Sequence, residues 1–260
     1  MSYVKPVRSH FPENVVLSLP AHRSLTTSPA IISPATDGTN ATLPGMSLRS
    51  VHLCFGDSNT YGLVPATTDR YGWGVRWTSI INEKLGLQEY RVIEEGLCGR
   101  TTVFDDPFRE GRRGTQLFPT LLETHRLLDC IVIMLGTNDC KTVYGASAGV
   151  IAKGVEKLIE QAQRFAKDTP ILLISPIHLG EGVWEKGFDT EFNENSVAVS
   201  KGLAEEYRKV SEKYGLAFLN AADYAQPGAA DREHLDDEGH QRLAEAVLHE
   251  IKNIIDKKNQ

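Results

Sequence analysis

The sequence predicts an α/β fold: a three-layer α/β/α sandwich around a five-stranded, mainly parallel sheet. From Val51 onward, short apolar runs alternate strictly with longer amphipathic segments, the pattern of a doubly wound chain. The central runs, such as Cys130-Ile131-Val132-Ile133-Met134-Leu135, are apolar throughout, as parallel strands covered on both faces must be. The segments between them carry apolar residues three and four apart, for example Val155, Leu158, Ile159 and Ala162, which turns one stripe of a helix toward the sheet.

Taken in order, the first strand is predicted over 51–55, ending at Gly56, and a helix over about 74–85 follows. A second strand over 90–94 leads to a helix over about 116–127, and a third over 130–135 to a helix over about 148–166. The fourth strand, 171–175, precedes a helix over about 191–214, and the fifth, 217–220, precedes the last helix over about 237–255. That helix repeats Leu243, Ala244, Val247 and Leu248 at helical spacing. In such a fold ligands bind outside the carboxyl ends of the strands, so the functional residues should lie just past those ends.

Residues 1–47 read differently. They hold six of the twelve prolines and many Ser and Thr, without helical or strand period, so an irregular extension is expected before a single domain over 48–260. The apolar cluster at 15–19 is too short and too far inside the segment for a secretory signal, and the sequon at Asn40 reads as a chance match. Over the whole chain, 41% hydrophobic and 24% charged residues argue against disorder. No run approaches the roughly 18 to 20 apolar residues of a spanning helix. The net charge of -6 disfavours a nucleic-acid partner. Cys54, Cys98, Cys130 and Cys140 show no zinc-type spacing, and Cys54 and Cys130 lie in apolar strands where thiols behave as small hydrophobes. A reducing, cytoplasmic setting without metal or other cofactor is expected.

Four segments carry chemistry. Past the first strand stands Gly56-Asp57-Ser58-Asn59, where Ser58 occupies the position of a reactive group, although Asp57 and Ser58 also suit a cap of the following turn. Past the second comes Glu95-Gly96-Leu97-Cys98-Gly99-Arg100, where Gly99 lets backbone N–H approach a substrate. Past the third comes Gly136-Thr137-Asn138-Asp139; the Asn138 amide can aim a neutral donor at an oxyanion, or cap a helix. Just before the last helix, Asp231-Arg232-Glu233-His234 spaces a carboxylate three residues from an imidazole. That spacing allows Asp231 to accept from Nδ1–H and turn Nε2 toward a nucleophile.

In this order the four blocks resemble those of the SGNH (GDSL-type) hydrolase family. Arg76-Trp77, the Val92 to Leu97 stretch, Arg100-Thr101-Thr102 and Asp105-Asp106-Pro107 resemble its arylesterase and acyltransferase branch. The resemblance spans about 51–258 and implies a flavodoxin-like sheet and a serine esterase acting on acetyl or aryl esters, with acyltransferase or perhydrolase side activity. It further implies Ser58 as nucleophile, Asp231 and His234 as its partners, and an oxyanion hole made by Ser58 N–H, Gly99 N–H and the Asn138 side chain. A homo-oligomer is implied too. The sequence departs from the family in Asn59, where Leu is frequent, and in Gly99, where the branch carries a larger residue; both bear on the acyl pocket.

Competing features are weighed by their setting. Gly145-Ala146-Ser147-Ala148-Gly149 fits GxSxG, but no strand immediately precedes it, so Ser147 reads as the N-cap of a helix. Asp237 and His240 repeat the DxxH spacing inside that last helix's first turns, a structural position. Asp105 and Asp106 read as a turn before Pro107, with Arg100 as a partner for one of them. Trp77 reads as core, whereas Trp184, in the irregular 180–187 segment, is expected to line the substrate site together with Asp57. Rival functions are a metal-dependent phosphoryl hydrolase built on Asp57 and Asp139, and an idle carbohydrate-binding protein retaining the fold.

Overall fold

Strand β1 (Ser50–Gly56) lies between β2 (Tyr90–Gly96) and β3 (Cys130–Met134), with β4 (Ile171–Ser175) and β5 (Ala217–Asn220) beyond, giving the order β2-β1-β3-β4-β5. Every pairing is parallel. This is the flavodoxin-like order expected from the sequence, and it reverses direction between β1 and β3, where doubly wound sheets open their binding crevice. The computed structural model describes residues 50–258. The 1–47 segment with Asn40 lies outside the described residues.

The side-chain period of two divides each central strand between two cores. Leu53, Phe55, Ile131, Ile133 and Leu173 face α3 (Gly114–Thr124), α4 (Ala148–Phe165) and α5 (Glu194–Tyr214), whose Phe118, Ile151, Val155, Leu158 and Leu203 meet them. Cys54, Val132, Leu172 and Ile174 face the opposite way, against Trp77 and Ile81 of α2 (Trp77–Leu85) and Leu243, Val247 and Ile251 of α6 (Asp237–Lys258). Both layers are needed because β3 and β4 are buried at every position, on both faces of the sheet. Each fully buried Leu, Ile or Val contributes about 1.5 to 3 kcal/mol.

The ends of the helices depart from the sequence reading for local reasons. Helix α2 begins at Trp77 rather than near 74, since Gly74 sits at φ +83°, outside helical space. Helix α5 begins at Glu194 because Asn193 and Ser196 form a reciprocal cap, Asn193 Oδ1 accepting from Ser196 N–H at 2.9 Å and Ser196 Oγ from Asn193 N–H at 3.1 Å. Helix α3 holds Pro119, which cannot donate to the Thr115 carbonyl; Gln161 Nε2 takes that acceptor at 2.8 Å. Helix α6 outlasts its apolar period to Lys258, where Lys257 and Lys258 suit the negative end of the dipole. Among the described residues no helix is long and apolar enough to cross a membrane.

Candidate active site

The turn after β1 is a single helical turn, α1 (Ser58–Tyr61). Asp57 caps it, its Oδ1 accepting from Asn59 N–H at 3.0 Å. Gly96 at the end of β2 makes the seat for this turn: a Cβ there would overlap the Tyr61 backbone nitrogen. Strand ends thus press the nucleophile turn from below, and Ser58 is left 3% exposed at the β1/β3 crevice.

The Asp231–His234 turn enters the same crevice from the far end of the chain. His234 Nε2 lies 2.8 Å from Ser58 Oγ, and His234 Nδ1 lies 2.8 Å from Asp231 Oδ2. Asp231 is itself saturated: Oδ1 accepts from the N–H of Glu233 (3.0 Å) and of His234 (2.9 Å), and Oδ2 also accepts from Ala66 N–H at 2.9 Å. Burial works against the charge of Asp231, but the hydrogen bond and charge of His234 and these N–H groups outweigh it and hold its carboxyl near 2. With Asp231 ionised, Nδ1 keeps a proton, and in the neutral imidazole it is Nε2 that can receive one from Ser58.

Gly99 and Asn138 complete the corner. Gly99 sits at φ +82°, and a Cβ there would come within 2.7 Å of Arg109 Cζ. The Arg109 guanidinium therefore fills the space a side chain would take; its Nε donates to Asp106 Oδ2 at 3.0 Å. Asn138, 2% exposed, spends one amide hydrogen on the Arg100 carbonyl at 3.2 Å. Its other amide hydrogen, like the N–H of Ser58 and of Gly99, has no protein acceptor among the described residues. These donors stand past the ends of β1, β2 and β3, which are neighbours in the sheet, and free donors of this kind suit a developing oxyanion.

The remaining expectations divide: Ser147 and His240 take the structural places expected of them, and Asp57 and Arg100 do not take theirs. Asp57, expected at the substrate, is 1% exposed and committed to its cap; burial pushes its carboxyl up to about 6. Asp139 is turned away, accepting from Thr102 N–H at 3.0 Å and from the Thr102 hydroxyl, and burial pushes it up to about 7. Neither joins a group of three or more metal-type side chains among the described residues. Arg100 does not reach Asp105 or Asp106. It donates to the carbonyls of Gly56, at 2.7 Å, and Glu95, with its guanidinium over the Phe55 ring, while Arg113 and Arg109 take the two aspartates. Ser147 precedes α4 as its N-cap residue without a side-chain cap bond. His240 is fully buried in α6, its Nδ1 accepting from Trp77 N–H at 3.4 Å. Trp184 sits half-buried against the larger core, in the connection after β4.

Glu233 escaped the sequence reading, and Asn59, expected to bear on the acyl pocket, instead binds the turn that carries His234. Asn59, 3% exposed, reaches the residues on either side of His234: its Oδ1 accepts from Leu235 N–H at 2.8 Å and its Nδ2 donates to the Glu233 carbonyl at 3.4 Å. Glu233 itself is buried, with Oε1 3.7 Å from His234 Nε2. The Asn59 contact spans 174 residues, and the Glu233 contact, though between neighbours in sequence, depends on how the turn folds its side chain back to Nε2.

Residues 54–242 match the model of the GDSL-like lipase/acylhydrolase family. This chain belongs to that family. Like the family, it is a carboxylic ester hydrolase, of the SGNH type expected from its four blocks. A carbohydrate acetylesterase from Sinorhizobium meliloti is 31% identical, with a TM-score of 0.74 over 79% of this chain and 100% of that one. An inhibitor-bound aryl esterase of M. smegmatis is 29% identical, with a TM-score of 0.73 over 79% of this chain and 99% of its own. A lipolytic G-D-S-L protein of Veillonella parvula, at 15% identity and a TM-score of 0.58 over 77% of this chain and 97% of its own, shares the fold. Comparison with the curated proteins gives no match.

Proposed function

We propose that this esterase hydrolyses small carboxylic esters, acetyl and aryl esters first, through a Ser58 acyl-enzyme. The observation that carries the reading is the continuous relay from Asp231 to His234 to Ser58, 2.8 Å at each link. Ser58 Oγ attacks the ester carbonyl while its proton passes to His234 Nε2. The oxyanion is met by Ser58 N–H, Gly99 N–H and Asn138 Nδ2, and His234 gives the proton to the departing alcohol. Water, activated by the same imidazole, then releases the acid.

The acetylesterase and aryl esterase names of the similar proteins support a small acyl group. Trp184 is proposed to border the site, since its segment is tied to the triad turn by Gly180 N–H donating to the Arg232 carbonyl at 2.8 Å. Because Ser58 and His234 are 3% and 8% exposed, bulk water is restricted, and an added alcohol or peroxide is expected to intercept part of the acyl-enzyme.

The test is a chain-length series of p-nitrophenyl esters with excess chelator, with and without added alcohol. Wild type is expected to prefer acetate, and Ser58→Ala to lose activity by about 10^6-fold. Wild-type turnover in Ser58→Ala would sink the reading. Abolition by chelator would favour the phosphoryl alternative instead.

A further inference from the structure

Glu233 occupies an unusual place for a carboxylate. Its side chain is 8% exposed, and Oε1 lies 3.7 Å from the nitrogen of His234 that faces Ser58. Among the described residues no N–H or O–H group donates to either of its oxygens, so its nearest polar partner is that imidazole. Its burial confines the side chain, and its backbone is held at both ends: its N–H donates to Asp231 Oδ1 at 3.0 Å, and its carbonyl accepts from Asn59. His234 therefore has a carboxylate at each nitrogen, Asp231 at Nδ1 and Glu233 at Nε2.

We propose that Glu233 is a positioning residue that sets the charge state of His234, storing the imidazolium at neutral pH and making the protein an esterase of alkaline pH. The proposal rests on the triad reading above. The other charged groups that face this pair are Asp57 from the nucleophile turn, Lys141 after β3 and Asp189 in the connection after β4. Lys141 is engaged by Glu191, and the remaining charges are acids. Burial opposes the imidazolium, yet Glu233 first, then Asp231 and Asp57, raise His234 from 6.5 to about 9. Burial likewise raises Glu233, to about 7.

Two consequences oppose each other. An ion pair in the resting site withholds Nε2 from Ser58 until the proton leaves, so the acidic limb of kcat/KM moves up. Once Nε2 is free, the same carboxylate favours the imidazolium that forms as Ser58 attacks. Removing the charge should therefore quicken the enzyme at low pH and slow it at high pH, a crossing that a mere packing defect does not produce.

The experiment compares wild type, the isosteric Glu233→Gln and the apolar Glu233→Leu. The pH profile of p-nitrophenyl acetate hydrolysis is measured beside a 15N NMR titration of the His234 ring, assigned with His234→Gln. Both variants are expected to lower the His234 midpoint and the acidic limb together, by about 1 to 3 pH units, the range for an opposite charge removed at this distance. Should Glu233→Leu fail to fold, Glu233→Gln alone decides. A midpoint unmoved in the folded variant overturns the proposal, as does a limb that moves while the midpoint stays. If wild type hydrolyses no ester, the reading of the triad fails, whereas the NMR midpoint still reports on Glu233.

Discussion

The nucleophile and its base meet at 2.8 Å from supports of different kinds. Ser58 stands on a turn fixed mainly by backbone, strand β1 beneath it and the close seat at Gly96, with one side-chain cap from Asp57. His234 stands on a turn between β5 and α6 that lies outside regular structure; Gly228 N–H donates to the His234 carbonyl at 2.7 Å, and side chains supply the rest of its support. Asp231 gathers its N–H groups, Asn59 reaches across from the nucleophile turn, and Arg232 holds φ +64° in the left-handed region. Backbone support is set by the fold and tolerates neighbouring changes, whereas side-chain support can be removed one residue at a time.

The largest effect should come from the anchor of the side-chain support. Asp231→Asn leaves the turn's size intact but no longer requires a proton on Nδ1, and kcat is expected to fall about 10^4-fold. The same residue gives the fold an acid-side signature. Its carboxyl is lowered from 3.8 to about 2, so its stabilisation is full above 3.8 and fades as pH falls through 2. His234, raised from 6.5 to about 9, has the opposite sign, stabilising fully below 6.5 and losing this contribution as pH rises through 9. Urea midpoints followed across pH should show both slopes in wild type, and Asp231→Asn should flatten the acidic one. An unchanged acidic slope would separate Asp231 from the stability of the turn.

Asn59 is the bridge between the two supports and should come next. Asn59→Leu removes the donor to the Glu233 carbonyl and the acceptor of Leu235 N–H while leaving Ser58 in place. A displacement of His234 by a fraction of an ångström is expected to lower kcat about 10- to 100-fold with KM nearly constant. Two buried backbone groups left without partners should also cost about 1 to 3 kcal/mol each at most. If kcat holds while stability drops, Asn59 serves the fold alone.

The same contrast explains what could be read from the sequence. The strands follow from local patterns, and Ser58, Gly99 and Asn138 each sit a few residues past an apolar run that defines a strand end, whereas the strand order and the roles of these residues came with the family resemblance. Asp231 and His234 were legible because their mutual spacing is three residues. Asn59 was not, since its role arises only when distant parts of the chain close on each other, and Glu233 was not, since adjacency alone does not tell which way its side chain turns. Arg100 misled for a related reason: its neighbours in sequence are aspartates, but its guanidinium turns inward to the carbonyls at the ends of β1 and β2.

Arg232 should give the smallest effect and sharpens the comparison most finely. Its left-handed backbone costs about 1 to 3 kcal/mol for a residue with a side chain, which glycine would not incur. Against this, Arg232 Nη1 donates to the Glu181 carbonyl at 3.0 Å and pairs with Glu185 at 2.9 Å, and its guanidinium lies over the Phe188 ring. Half-exposed contacts of this kind are each worth about 1 kcal/mol or less, so Arg232→Gly should leave stability almost unchanged. The two gains fall in different places, however. Strain belongs to the triad turn, while the lost contacts belong to the 180–187 segment that carries Trp184. Arg232→Gly is therefore expected to raise KM for bulky aryl esters a fewfold, through a looser border, and to leave kcat for an acetyl ester as it was. A fall in kcat for every ester alike would mean instead that the segment beyond Arg232 helps hold the base against Ser58, and that the side-chain support extends one layer further than Asp231 and Asn59.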